Sequence, residues 1–441
     1  LRSFSSSLPK AADLLAALQV QHLTRVELHL WFIEPDGSAL AMALAQLSNL
    51  QQPRLRSLRD ASLGATLTTL VQLPQLTLLE LAGQWPVTEQ VQSQQSTEML
   101  ASPVSLALQQ LLEQPLPLRS MRLPDYASFR LPVLNMALLT KLSELDTGMW
   151  ELEDASVLPA QLQHVRFYSW VGADSMAPLT RLQLQQLQRL SVRVDFEQPQ
   201  LLLQLVRLPA LTHLALQYDD FCEGGAAAAT ASAWPLLPQL RQLEIDQHTP
   251  PSQPRWEAIL AGAAAATGLT KLTLDARMMS DELQADLNAA VESGNGFDGK
   301  WASEVAACAS LTKLTCLQDL TIGGSGYVCG ETLDVNLSHG NALALTALTR
   351  LTRLVLAGVE HGVGTAVATA LACTLQRLQC LDLSHCSLQL GTADWLACLE
   401  AVGCLTQLTW LRLRGNAGLT KHGLMQLTGL SRLEHMVGLM T

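Results

Sequence analysis

Leu405-Thr-Gln-Leu408-Thr-Trp410-Leu411-Arg412-Leu413-Arg414-Gly415-Asn416 is the stretch that decides the fold. Leu408, Leu411 and Leu413 follow the spacing Leu-x-x-Leu-x-Leu. Residues two apart on a strand point to the same side, so Leu411 and Leu413 face one way and Trp410, Arg412 and Arg414 the other. Leu405 stands one step earlier, where it closes the incoming segment against the same core.

The phrase recurs along the chain with conservative swaps. It reads Leu23/Val26/Leu28, Leu55/Leu58 with a defective third position at Asp60, Leu76/Leu79/Leu81, Leu118/Met121/Leu123, Leu142/Leu145, Leu162/Val165/Phe167 and Leu187/Leu190/Val192. It continues at Leu211/Leu214/Leu216, Leu240/Leu243/Ile245, Leu269/Leu272/Leu274, Leu317/Leu320/Ile322, Leu351/Leu354/Leu356, Leu378/Leu381/Leu383, Leu408/Leu411/Leu413 and a weak Leu430/Leu433, fifteen copies in all. A second phrase enters each strand, as in Leu73-Pro-Gln-Leu76 and Leu208-Pro-Ala-Leu211, with Pro or Thr marking the bend. The mean step is about 29 residues, and the steps from Leu76 to Leu118 and from Leu269 to Leu317 are long enough to hide a degenerate repeat or an inserted loop. One such unit cannot bury its apolar edge alone, whereas stacked units share a core.

By this spacing the chain resembles the leucine-rich-repeat family from about residue 23 to the end. The resemblance implies an α/β solenoid, a horseshoe with a parallel concave sheet and with helices or turns on the convex side. Residues 1–22 are then an N-terminal flank, truncated at Leu1, and residues 23–441 one solenoid of about 15 repeats with an insertion or degenerate repeat at 277–310. Units of 27–30 residues have room for an outer helix, as in ribonuclease-inhibitor-like repeats; units of 20–25 residues admit only a turn or a clipped helix.

The family's repeat carries Asn or Cys eight residues after the first leucine, hydrogen-bonded to neighbouring turns. Only Cys386 and Asn416 fit that pattern here. In the first half the position often holds an aromatic residue, namely Trp31, Tyr126, Trp150 or Trp170, with Trp85 and Phe196 one residue later. Regularly spaced aromatics read first as an apolar spine, with an exposed aromatic rim that grips a ligand as the alternative. The phrase from Asn416 to Leu430 resembles the cysteine-containing repeat subclass, often seen behind F-box motifs.

Composition narrows the function. Hydrophobic residues make up 48 % and charged residues 15 %, enough for a continuous core, and the formal net charge of −11 disfavours nucleic acid as a general partner. The nine cysteines all lie at or beyond Cys222, without a CxxC pair, and read as reduced thiols of an intracellular, cytoplasmic protein. No apolar run is long enough to span a bilayer.

Three local patterns invite chemistry and fail its requirements. Gly294-Asn-Gly296-Phe-Asp-Gly299-Lys300-Trp301 mimics a phosphate loop, but Trp301 replaces the hydroxyl residue and Asp298 sets a negative charge inside the anion nest. Cys373, Cys380, His385 and Cys386 match no common zinc spacing. The sequon Asn336-Leu337-Ser338 would matter only in a secreted chain. No catalytic, cofactor or metal residues are assigned.

The outward strand positions carry the remaining signal. Arg119, Arg122, Arg166, Arg189 and Arg193 gather with Tyr168 in one patch, and Trp410, Arg412 and Arg414 in a second. Arginine beside aromatics is the chemistry of binding hot spots, because the planar guanidinium stacks and forks onto carboxylates. These residues predict a non-enzymatic protein-interaction scaffold whose concave face selects a partner with an acidic surface. Two rival readings are the substrate receptor of a ubiquitin ligase, its F-box lost upstream, and an extracellular recognition ectodomain.

Overall fold

The computed structural model describes residues 2–7, 15, 22–29, 37–56, 60–82, 103–123, 134–148, 155–170, 184–194, 204–218, 234–247, 253–276, 303–304, 308–323, 335–360, 365–386, 393–416 and 421–437. The chain divides into two compact units, Leu1–Arg193 with Arg207–Leu211, and Val194–Val206 with Thr212–Thr441.

The first unit is built on the strands β1 (Ser3–Ser6), β2 (Arg25–His29), β3 (Gln52–Arg56), β4 (Leu78–Ala82), β5 (Ser120–Arg122), β6 (Glu144–Asp146), β7 (His164–Trp170) and β8 (Arg189–Val194). Each pairs with the next in chain order, and every pairing is parallel. The leucine opening each repeat is fully buried: Leu23, Leu50, Leu76, Leu118, Leu142, Leu162, Leu187 and Leu211. Each such side chain contributes roughly 1.5–3 kcal/mol by leaving water.

Strand register corrects the second repeat. Val26 pairs with Pro53 and Leu28 with Leu55, so the frame is Leu50/Pro53/Leu55 rather than Leu55/Leu58/Asp60. The proline hid it, because Pro53 fills the second apolar position that leucine holds elsewhere. Asp60 instead opens a helix. The corrected steps, Leu23 to Leu50 and Leu50 to Leu76, then carry the outer helices α1 (Gly37–Ala45) and α2 (Asp60–Leu70), as long units should. A third helix, α3 (Pro103–Leu112), packs beside α2 as α2 packs beside α1. Leu78 pairs directly with Ser120, so no strand stands between β4 and β5 in the ladder despite the long step after Leu76. From β5 to β8 the described connections are turns, in keeping with their shorter steps.

The second unit repeats the plan with β9 (His213–Tyr218), β10 (Gln242–Gln247) and β11 (Lys271–Ala276). After the short strand β12 (Ser303–Glu304) come β13 (Asp319–Gly323), β14 (Val335–Asn336), β15 (Arg353–Val355), β16 (Val359–Glu360), β17 (Cys380–Asp382), β18 (Trp410–Arg412) and β19 (His435–Val437). The main ladder runs β9, β10, β11, β13, β15, β17, β18, β19, again parallel throughout. β11 pairs directly with β13, so no strand stands between them in this ladder, and of the predicted excursion at 277–310 residues 277–302 and 305–307 lie outside the described residues. β12, β14 and β16 form a separate three-stranded parallel sheet that the leucine spacing did not announce. The asparagine of the sequon, Asn336, lies on its middle strand, and Ser338 caps the following helix α5 (His339–Ala344) by accepting the Asn341 amide.

The outer layer here holds α4 (Gln253–Ala265), α6 (Thr365–Thr374), α7 (Ala393–Gly403) and α8 (Lys421–Met425). Its buried positions are often alanine, as at Ala263, Ala264, Ala368 and Ala372, which let a helix lie close to its neighbours. The last repeat is also reframed. Leu411 pairs with Met436, so Leu433 opens the final phrase, and Leu430 occupies the entering position that Leu405 holds one repeat earlier.

A hydroxyl ladder supports both stacks. Thr24, Thr77, Ser143, Thr270, Thr352 and Thr409 each follow the opening leucine and donate to the backbone carbonyl at the equivalent point of the preceding repeat, at 3.1–3.2 Å.

Candidate interaction faces

Burial alternates along the strands, so every second side chain points outward, and register places those residues in columns. In the first unit the middle column reads Ser5, Glu27, Arg54, Glu80, Arg122, Asp146, Arg166 and Ser191. From Glu27 to Arg166 the sign of charge alternates strand by strand. Neighbouring strands lie about 4.8 Å apart, close enough for each charge to meet its opposite.

The ion pairs follow this order. Arg54 Nε lies 3.2 Å from Glu80 Oε2, and Arg56 Nη2 reaches Glu27 at 3.6 Å and Glu80 at 3.4 Å. Arg122 bridges Glu80 at 3.9 Å and Asp146 at 3.6 Å. Burial alone would raise the Glu27 carboxyl, yet Arg56, Arg54 and Arg25 together hold it below its ordinary value. Arg54 escaped the sequence reading because the frame Leu55/Leu58/Asp60 sets Arg59 at the middle outward position that Arg54 holds.

The first predicted patch is therefore spread over distinct settings. Arg122 and Arg166 lie in the alternating column, Arg119 and Arg189 are exposed beside it, and Arg193 is half-buried, with burial drawing its guanidinium below the usual value. Tyr168 lies on β7, its side chain outside the described residues. Of the aromatic positions, Trp31, Trp85, Tyr126, Trp150 and Phe196 fall outside the described residues, and only the backbone of Trp170 is within them.

In the second unit, register sets Arg353, Cys380, Trp410 and His435 in one column and Val355, Asp382, Arg412 and Val437 in the next. Arg353 approaches Asp319 at 3.8 Å, and Arg412 approaches Asp382 at 3.8 Å. Burial, the largest influence, raises the Asp319 carboxyl against the pull of Arg353 and Lys271. Asp382 is committed to its own turn, its Oδ1 accepting the Ser384 amide at 2.9 Å. Asp146 does the same for Gly148 at 3.1 Å.

Behind this face the turns are locked. Cys386 is buried and donates its thiol to Leu356 O at 2.9 Å, while its amide donates to Asn416 Oδ1 at 3.1 Å. These are the roles that the repeat pattern assigned to Cys386 and Asn416. His385 holds the left-handed backbone conformation (φ 55°) that Gly358 and Gly415 supply at the equivalent turns. Its imidazole is depressed first by burial, then by Arg414 and Arg412.

The remaining motifs stay apart. Cys373 is exposed on α6, Cys380 lies half-buried on β17, and Cys386 is buried in the turn beyond. Among the described residues no group of three His, Cys, Asp or Glu is placed to hold a metal. Burial pushes the Cys308 and Cys398 thiols up to about 12, as for structural cysteines. The glycine-rich stretch 294–301 lies outside the described residues. Among the described residues, no helix is long and apolar enough to cross a membrane.

The repeated leucine spacing, the in-register parallel strands and the Cys386–Asn416 turn ladder define a leucine-rich-repeat α/β solenoid. A comparison with family models finds no match, and neither does a comparison with curated protein sequences. Among solved structures the chain is similar to the crystal structure of an internalin from Listeria monocytogenes. The identity is 17 % and the TM-score 0.38, with 89 % of this chain and 82 % of that chain covered.

Proposed function

We propose that this protein is a non-enzymatic interaction scaffold that binds a protein partner through its outward sheet faces, the concave side of such a repeat. The observation that carries the reading is the register itself. It lays one outward residue per strand in continuous columns, a long polar surface on a rigid backbone. Arg119, Arg122, Arg166, Tyr168, Arg189 and Arg193 make up one contact area, and Trp410, Arg412 and Arg414 the other. Free thiols at all seven described cysteines support an intracellular, cytoplasmic setting.

The test is a pull-down with the full chain, comparing wild type with Arg122→Glu/Arg166→Glu and with Arg412→Glu/Arg414→Glu. A partner retained by wild type and lost from either folded variant supports sheet-face recognition. Identical capture by all three, with no partner specific to the chain, sinks it.

A further inference from the structure

We propose that β19 is a docking edge for β1 of a second copy of this chain, the two strands pairing in parallel so that one ladder continues into the next. The contact leaves the outward sheet faces open and does not depend on the partner reading above.

The backbone supplies the first reason. Along the ladders two successive amides donate to one carbonyl of the preceding repeat. Thr24 and Arg25 donate to Arg2 O, Thr409 and Trp410 to Gln379 O, and Glu434 and His435 to Thr409 O, at 2.8–3.2 Å. Among the described residues, β1 pairs only with β2 and β19 only with β18, and no amide donates to Glu434 O. The equivalent amides at the other end, those of Arg2 and Ser3, have no preceding strand among the described residues. An open acceptor at one end thus matches open donors at the other. Strand direction already agrees, because every pairing in both ladders is parallel.

The inward side chains supply the second. Carrying the register on sets Phe4 of the second copy opposite Met436, in the column of Val26 and Leu411. Val26 and Leu411 are fully buried, whereas Met436 is 39 % exposed and Phe4 only half-buried. In the same repeat as β19, Leu424 and Met425 on α8 are exposed as well. Pairing takes Phe4 and Met436 out of water together, the dominant driving force in association. Neither strand carries the lysine or proline that blunts open edges elsewhere.

Charge favours the same register. It brings Arg2 beside Glu434, both exposed and about one strand spacing, ~4.8 Å, apart. The other charges described at the β19 end lie off this pairing: Lys421 is on α8, and Arg432 donates to Gln407 at 2.7 Å. On β2, Arg25 and Glu27 already pair with each other at 3.4 Å. A contact between two copies of β19 would leave Phe4 uncovered and Arg2 without a role.

The test is sedimentation velocity on the full chain over a range of concentrations, with amide exchange mapping the contact. Wild type is expected to self-associate, protecting residues 2–6 and 434–437 as its concentration rises. Ser3→Pro removes one donor of β1, and Met436→Lys puts a charge on the inward side of β19; each variant alone should be monomeric. An equimolar mixture of the two should form a dimer and nothing larger, because each variant keeps the end that the other has lost. Arg2→Glu should weaken association several-fold and Arg2→Glu/Glu434→Arg should restore it, a readout that stands should Ser3→Pro disturb the strand. A wild type that stays monomeric throughout overturns the inference. So does a dimer left intact by Ser3→Pro and Arg2→Glu, which would assign β19 to pairing with itself.

Discussion

Asn416 closes the turn of the preceding repeat: its Oδ1 accepts the Cys386 amide at 3.1 Å, while its Nδ2 donates to Leu383 O at 2.7 Å and Leu413 O at 3.1 Å. One buried side chain thus satisfies three backbone groups in two repeats.

Removing it leaves those groups without partners in a dry interior. Asn416→Ala is expected to destabilise the second unit by about 2–3 kcal/mol. Repeat proteins lose structure locally, so the readout is amide exchange at residues 380–416 in denaturant. Unchanged exchange there would show that the asparagine ladder is dispensable.

Gly415 and His385 form a matched pair. Gly415 has φ 71°, and a Cβ at that position would overlap the His385 imidazole. Gly415→Ala should cost about 1–2 kcal/mol from the left-handed backbone alone, and more from the overlap. The double variant Gly415→Ala/His385→Gly should recover part of the loss, because the ring is gone and residue 385 regains an unstrained backbone. Strictly additive losses in a double-mutant cycle would refute the contact.

The alternating column makes part of the first unit's stability depend on pH. The Glu27 carboxyl is held below its ordinary value of 4.5 in the folded state, so its contribution is fully present above that unfolded value. It is lost as the pH falls through the lower folded value. Glu27→Gln should therefore be less stable than wild type near neutrality, by less than about 1 kcal/mol for so solvated a pair. The two stabilities should converge in acid, as followed by thermal unfolding across the pH range. A gap that is constant with pH would mean that the column contributes nothing through charge.

Thr66 on α2 is fully buried, and its hydroxyl finds no acceptor among the described residues. Thr66→Val keeps the shape and removes the unpaired group, and should stabilise the first unit by about 1 kcal/mol. A lower thermal midpoint for the valine variant would count against it.

Core positions were legible because each repeat announces them locally, through residues three and two apart. Where a repeat departed from leucine the reading slipped, at Pro53, which fills a buried position with an atypical side chain, and again at Met436, which takes the inward register place but is exposed. The hydroxyl ladder was visible as the recurring Leu-Thr or Leu-Ser pair, but nothing in a single pair says that its oxygen meets a carbonyl one repeat back. The small sheet of β12, β14 and β16 has two-residue strands and leaves no periodic trace at all.

By itself, the sequence determined the repeating unit, its inward leucines and the choice of Cys386 and Asn416 for the turns. These follow from side-chain spacing within a dozen residues. Only the tertiary structure decided which outward charges become neighbours. Glu27, Arg54, Glu80, Arg122 and Asp146 are separated by whole repeats and meet only through strand register. That pairing of distant segments turns a list of arginines and carboxylates into one matched column.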